Sequence, residues 1–334
     1  ISDALVAGKG YWLYFGNSQY TTTPITLDVT GTVRKFGYSI PLNYTNSGSA
    51  LNDGWNLIHN PYPSAISWTA LRGSTSNLDN AIYVYNADLN SGTGGFASYV
   101  NGVSSPAVVS GGIADDIPMS QGFYVHSTGA TALAAAESNK VAANPAFLRP
   151  SNVNNSPLLR INLNGANAFT DETVLYFEQN ATDNFDVAYD AYKMRGQDPY
   201  APSIALEKNL DVFQINAIAP LSGNYTSDLK TLTGYNGSYT ISVSNINSFP
   251  AGACITLYDK FTSATTDLRV SDYVFDLSDT TTVARFSISV TLNSLNVTAQ
   301  VRQPSCEFNN NGLVKVSGSG TGPWNYYWKV NGLT

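Results

Sequence analysis

The apolar positions of this chain recur mainly with a period of two. Ala81-Ile82-Tyr83-Val84-Tyr85, Thr173-Val174-Leu175-Tyr176-Phe177, Tyr239-Thr240-Ile241-Ser242-Val243 and Arg285-Phe286-Ser287-Ile288-Ser289-Val290 are short runs of β-branched and aromatic residues. Clusters of Gly, Asn, Asp and Ser punctuate them. Alternate side chains of a strand share a face, so such runs predict strands. Many short strands between turns predict sandwiches or jelly rolls. One stretch, Thr131-Ala132-Leu133-Ala134-Ala135-Ala136-Glu137, has the Ala content of a helix but is short and poorly capped. Helix and strand both stay open there.

Composition sets the boundaries. Asn144 to Pro157 reads as a loop, with Pro145, Pro150 and Pro157 among several Asn, and a fresh strand starts at Leu158-Leu159-Arg160-Ile161-Asn162-Leu163. A second break falls near Thr291 to Asn296. The expected organisation is all-β, with one module over 1–150, a second over 151–292 and the start of a third over 293–334. That third piece holds Leu313-Val314-Lys315-Val316-Ser317 and Trp324-Asn325-Tyr326-Tyr327-Trp328, with Asn331-Gly332 reading as a hairpin turn. Both ends read as internal to a longer polypeptide. An echo joins Gly8-Lys9-Gly10-Tyr11-Trp12-Leu13-Tyr14 to Ser120-Gln121-Gly122-Phe123-Tyr124-Val125-His126, as if two equivalent strands closed two related modules.

The charge balance narrows the function classes. Among 334 residues, 17 Lys and Arg face 24 Asp and Glu, for a net charge of −7, and only 12% of residues are charged while 43% are hydrophobic. That apolar share supports sizeable cores and argues against disorder. An acidic, Lys-poor chain lacks the electrostatic footprint for nucleic acid. No run reaches the roughly 18 apolar residues that a spanning helix needs. Two His, two Cys and two Met argue against a His-rich metal site, a haem pocket or a zinc finger.

The segment Gly54-Trp55-Asn56-Leu57-Ile58-His59-Asn60-Pro61-Tyr62-Pro63-Ser64-Ala65-Ile66-Ser67-Trp68 is more specific. It resembles the GWNLxGNPYPSxIxW signature of large secreted and surface proteins of the Bacteroidota exported by the type IX secretion system, with His59 where that family usually has Gly. Ile82-Tyr83-Val84-Tyr85 and Ser120 to Val125 continue the likeness. Asp171 to Phe177, Asn180 to Asp186, Tyr189-Asp190-Ala191-Tyr192-Lys193-Met194 and Ser271 to Phe275 resemble the module that commonly follows. The resemblance covers most of residues 8–290 and implies tandem β-sandwich or jelly-roll domains, then a truncated immunoglobulin-like or adhesin-type repeat. It implies an extracellular or cell-surface location, with the type IX machinery as partner during export. It implies no reaction, because such modules occur beside both enzymes and adhesins.

Candidate chemistry is sparse. Trp55, Tyr62 and Trp68 read either as an aromatic surface for sugar rings or as core anchors, with Asn56, Asn60 and the prolines shaping a rigid corner. Asp183, Asp186 and Asp190, with Asn180 and Asn184 between or before them, offer the oxygen ligands of Ca²⁺, although the spacing is not an EF-hand and such clusters also form turns. Asp115-Asp116 and Asp171-Glu172 are carboxylate pairs. Glycosidase chemistry needs two carboxyls facing across a cleft, roughly 5–10 Å apart, whereas neighbours on a strand point to opposite faces. His59 and His126 have no G-x-S-x-G elbow beside them and read as local hydrogen bonders. Cys254 is expected to be an unbridged, buried thiol, and Cys306 belongs to the third piece. Asp279-Thr280-Thr281 resembles the short O-glycosylation acceptor of the Bacteroidota.

The expectation is therefore a non-catalytic extracellular region serving as a stalk, adhesion or display module. Its partner would be an unknown surface glycan or protein, with no cofactor beyond a Ca²⁺ at the aspartate loop. The alternative is a carbohydrate-binding accessory region of a secreted polysaccharide-degrading enzyme.

Overall fold

The computed structural model describes residues 5–13, 30–48, 52–107, 113–142, 156–165, 169–221, 223–232, 235–249, 253–277, 284–292, 296–306 and 309–319. Most of the linker around Pro145 and Pro150, the Asp279-Thr280-Thr281 tripeptide, the Trp324–Trp328 run and Asn331-Gly332 lie outside these residues.

The first module holds β1 (Tyr38–Leu42), β2 (Trp55–His59), β3 (Ile66–Ser67), β4 (Leu78–Asn86), β5 (Gly95–Val100), β6 (Val103–Ser105), β7 (Asp116–Ile117), β8 (Gly122–Ser127) and β9 (Thr131–Ala135). Five of them form an antiparallel sheet in the order β2-β8-β4-β5-β6. Two-stranded pairs β1–β9 and β3–β7 pack with it over a core that includes Ile40, Tyr62, Trp68, Ile82, Phe123 and Leu133. A short helix α1 (Trp68–Arg72) starts at Ser67, whose side chain accepts from the Ala70 N–H. The Ala-rich run is strand β9: Leu133 and Ala135 point inward while Ala132 and Ala134 face solvent. Pairing with β1 overrides the helical propensity of its alanines.

The echo has a different meaning from the one expected. Strand β8 lies along one edge of β2, while Lys9 bridges Ile58 and the Gly10 N–H donates to Leu57 O on the other. The two Gly-aromatic segments therefore flank the same strand.

The second module holds β10 (Leu158–Asn164), β11 (Thr170–Phe177), β12 (Ala191–Tyr192), β13 (Ser203–Lys208), β14 (Asp211–Ile218) and β15 (Asn224–Leu232). It continues with β16 (Gly237–Ser244), β17 (Ala253–Asp259), β18 (Ala264–Asp267), β19 (Tyr273–Leu277) and β20 (Phe286–Leu292). These strands form one hydrogen-bonded path, β18-β17-β20-β15-β13-β14-β11-β10-β16-β19, with β12 on β14. Only β11 and β14 run parallel. Strands far apart on this path share one core: Leu159, Ile161 and Leu163 of β10 pack in the same cluster as Ile255 and Leu257 of β17 and Phe286, Ile288 and Val290 of β20. The sheet thus folds over on itself as a sandwich. A hairpin of β21 (Asn296–Arg302) and β22 (Leu313–Ser319) follows, with Val297, Val301, Leu313 and Val314 exposed.

The all-β expectation holds. What the alternation did not convey is that several strands are covered on both faces. In β4, Ile82 and Val84 enter the first core, while Ala81 and Tyr83 enter a separate cluster shared with the second module. In β11, Leu175 and Phe177 enter the second core, while Val174 and Tyr176 enter that shared cluster.

Candidate functional site

The seam between the modules gathers most of the chemistry. Its apolar part joins Ala81, Tyr83, Val100 and Val103 of the first module to Leu158, Val174, Tyr176, Ala191, Ile215 and Ala217 of the second. Hydrogen bonds stitch its margins. The Tyr192 N–H donates to Tyr83 Oη at 2.8 Å, the Asn80 N–H to Val187 O at 2.8 Å, and Gln214 Nε2 to Ser105 Oγ at 2.5 Å. At one rim the two backbones nearly touch. A Cβ on Gly196 would lie 2.6 Å from Gly94 O, so only glycine fits there.

Buried charges sit along the same seam in pairs. Arg160 Nη1 donates to Glu172 Oε1, which also accepts from Ser105 Oγ at 3.0 Å. Lys193 Nζ lies 2.6 Å from Asp171 Oδ2 and donates to Glu172 O at 3.0 Å. Asp171 also accepts the Ile204 N–H at 2.7 Å, which ties the start of β13 to β11. Burial raises the Glu172 pKa, with Arg160 and Ser105 pulling the other way. Burial lowers that of Lys193, opposed mainly by Asp171. As adjacent residues of a strand, Asp171 and Glu172 serve separate cations rather than facing each other across a cleft.

A cavity of about 230 Å³ opens beside this network, lined from both modules by Asn90, Phe96, Asp171, Lys193, Asp198 and Ser203 among others. Its wall on the first module is the β4–β5 turn, where Asn90 and Ser91 take left-handed backbone angles with φ of 53° and 55°. Asn90 Oδ1 is buried there without a protein donor.

His126 pairs with Asp79, Nδ1 to Oδ2 at 2.7 Å, and both side chains are almost fully enclosed. Trp55 and Tyr192 pack around the imidazole, with ring centroids 4.9 and 5.4 Å away. His126 thus has a long-range partner rather than a local one, and it is sealed inside the seam. His59 Nδ1 lies 3.0 Å from Lys9 O, and burial lowers its pKa.

The aromatic candidates do not form a surface. Tyr62 and Trp68 are each 2% exposed and belong to the first core. Tyr62 Oη donates to Phe36 O and Trp68 Nε1 to Asn80 O. Trp55 is half-buried, edge-on to Tyr83 at 5.1 Å. Around them, Asn56 Nδ2 donates to Asn43 O and Gly54 O, and Asn60 Nδ2 to Ser64 O, Ile117 O and Pro118 O. Gly54, at φ 78°, leaves no room for a Cβ beside Ser127 O. The corner is a backbone latch.

The aspartates of the second module also have separate tasks. Asp183 pairs with Lys208 at 2.8 Å on the surface. Asp186 accepts from the Thr182 N–H and Thr182 Oγ1. Asp190 is fully buried and accepts from the Ala217 and Asp186 N–H groups. They do not converge as a ligand set, and among the described residues no group of three or more His, Cys, Asp or Glu is placed to hold a metal ion. Asp115 accepts from Ser67 Oγ, the Thr69 N–H and Thr69 Oγ1, anchoring the start of α1. Cys254 is a half-buried thiol on the strand face opposite Ala253 and Ile255, not a core residue, and Cys306 is exposed.

A family model matches residues 1–290, described as a domain of unknown function, DUF8693. The chain belongs to the DUF8693 family. The DUF8693 match runs through both sandwiches and the seam between them, and stops short of the β21–β22 hairpin. No curated protein and no solved structure matches the chain.

Sequence reasoning missed the seam. Asp79 and Gln214 carried no motif, while Arg160 and Lys193 stood in runs read for strand pattern and family likeness and not for charge pairing. The available signal was the near-continuous apolar character of Ala81–Tyr85 and Val174–Phe177, which suits strands covered on both faces better than strict alternation does.

Proposed function

We propose that this chain is a non-catalytic extracellular region of a type IX-secreted cell-surface protein, acting as a rigid stalk, adhesion or display unit. The observation that carries this reading is the shared apolar cluster between the modules. Domains joined by small polar contacts move against each other, whereas an apolar seam with buried pairs holds them in one arrangement. The buried ionisable groups at the seam already serve one another: Arg160 with Glu172, Lys193 with Asp171, and His126 with Asp79. Such pairing suits a structural role better than catalysis, which needs a group turned toward substrate. The low share of charged residues agrees with this reading.

Protease shaving of intact producing cells tests it. The parent protein should be cleaved at the surface in wild-type cells and protected in a strain lacking the secretion machinery. Retention in the cytoplasm of wild-type cells would sink the proposal. The second reading, a carbohydrate-binding accessory region, is favoured by the cavity and by two exposed tyrosines beside it.

A further inference from the structure

We infer that the seam cavity and the tyrosine pair at Tyr200 and Tyr235 together form a binding site for a neutral saccharide. The inference rests on the second reading above and gives it a location. A sugar presents two chemistries at once, an apolar C–H face and a rim of hydroxyls, so its site needs an exposed aromatic ring next to convergent polar groups.

Both parts are present. Tyr200 is 54% and Tyr235 39% exposed, with ring centroids 5.4 Å apart at 43°. Neither belongs to any of the three apolar clusters, so the fold makes no use of their rings as core. They are nevertheless held in place. Phe169, itself buried, stacks on Tyr235 at 5.8 Å and 11°. The Tyr200 N–H donates to Asp198 Oδ1 at 2.8 Å, and Tyr239 Oη donates to Tyr235 O at 2.7 Å. A fixed, solvent-facing ring loses little freedom when a ligand stacks on it.

The polar part adjoins directly. Asp198 and Ala201 on either side of Tyr200, and Thr170 next to Phe169, all line the cavity. Asn90, Asn162 and Ser203 add neutral polar side chains to the lining. The charges of the lining nearly cancel, with Asp171, Glu172 and Asp198 against Lys193 and Arg195, and Lys193 is committed to Asp171. Glu172 is committed to Arg160, which leaves Asp198 and Arg195 with opposite signs and no net charge between them, and a lining without net charge favours a neutral glycan. The volume admits a short end of a chain, with the next ring lying over the tyrosines.

The test is calorimetric titration of the whole chain with neutral cello-, xylo-, manno-, laminari- and chito-oligosaccharides, with an oligogalacturonate as charged comparator. At least one neutral series should bind. Tyr200→Ala and Tyr235→Ala should each weaken it about tenfold or more, or about 1.4 kcal/mol. Trp12→Ala, which removes an exposed ring on the first module, should leave affinity unchanged. Thermal melts of Tyr200→Ala should stay close to the parent, whereas Tyr235→Ala uncovers Phe169 and should melt lower, so its affinity is read well below its own melting temperature. Silence toward every neutral series at millimolar concentration, binding of the uronate alone, or binding indifferent to both tyrosines would each overturn the site. None of these outcomes bears on surface location, which cell shaving decides.

Discussion

Asp190, beside the seam, and Asp259, on β17, are both wholly buried, yet their surroundings push them in opposite directions. Asp190 meets only neutral donors: the Ala217 N–H at 2.6 Å, the Asp186 N–H at 2.7 Å and Asn216 Nδ2 at 3.3 Å. Burial wins there, and its pKa rises to about 7. Asp259 is equally enclosed, and burial pushes it up as well. Here, however, Arg285 donates through Nε at 2.9 Å and Nη2 at 2.6 Å, and Tyr273 Oη donates at 2.7 Å. Those bonds outweigh burial and hold the carboxyl well below its usual range. Burial penalises charge everywhere, and the presence of a cation decides which form survives. The aspartate loop that looks calcium-like in sequence is thus organised around a carboxyl with no cation at hand.

The comparison breaks most visibly through Asp259. Asp259→Ala should strip Arg285 of its buried partner and cost about 3–5 kcal/mol, read from urea unfolding midpoints. A loss below about 1 kcal/mol would show that Arg285 finds water instead.

The next effect is in pH. Between about 4 and 7, folded Asp190 holds a proton that the unfolded chain has released, so its contribution falls as pH rises through that window. Asp259 does the reverse, adding stability above the unfolded carboxylate range and losing it as pH falls below about 4. Asp190→Asn should therefore flatten the decline in unfolding free energy from pH 5 to pH 8, by about 2–3 kcal/mol across the window, read from urea midpoints at each pH. An unchanged profile would place the proton elsewhere.

Tyr83→Phe sharpens the seam itself. It removes the acceptor of the Tyr192 N–H without changing shape, and should cost about 1–2 kcal/mol. The smallest effect is expected at Asp183, whose side chain is 71% exposed in its pair with Lys208. Asp183→Asn should melt with the parent, and excess Ca²⁺ or chelator should move neither curve.

Much of the fold was legible because strands announce themselves locally. Phe286-Ser287-Ile288-Ser289-Val290 alternates cleanly, and β20 buries Phe286, Ile288 and Val290. The site was less legible because its partners are remote in sequence. His126 and Asp79 are 47 residues apart, and Gln214 reaches Ser105 across 109. Nothing in a linear pattern reports such a meeting. Trp68 and Tyr62 stayed open between binding surface and core anchor for the opposite reason: a conspicuous local cluster of rings suits either, and only packing places both in the core. The Ala-rich run at β9 shows the same limit, since a neighbouring strand, not its own residues, chose its conformation.

The shared seam also sets a schedule for folding. The first module can close its own core around Trp68 and Phe123 alone, but Tyr83, Ala81 and Val100 on the outer sheet face have no cover until β10, β11, β12 and β14 arrive. At a synthesis rate of about 5–20 residues per second, those strands follow seconds later. During that interval a nascent chain carries a bare aromatic sheet face, and whatever shields it in the cell acts as a temporary second module.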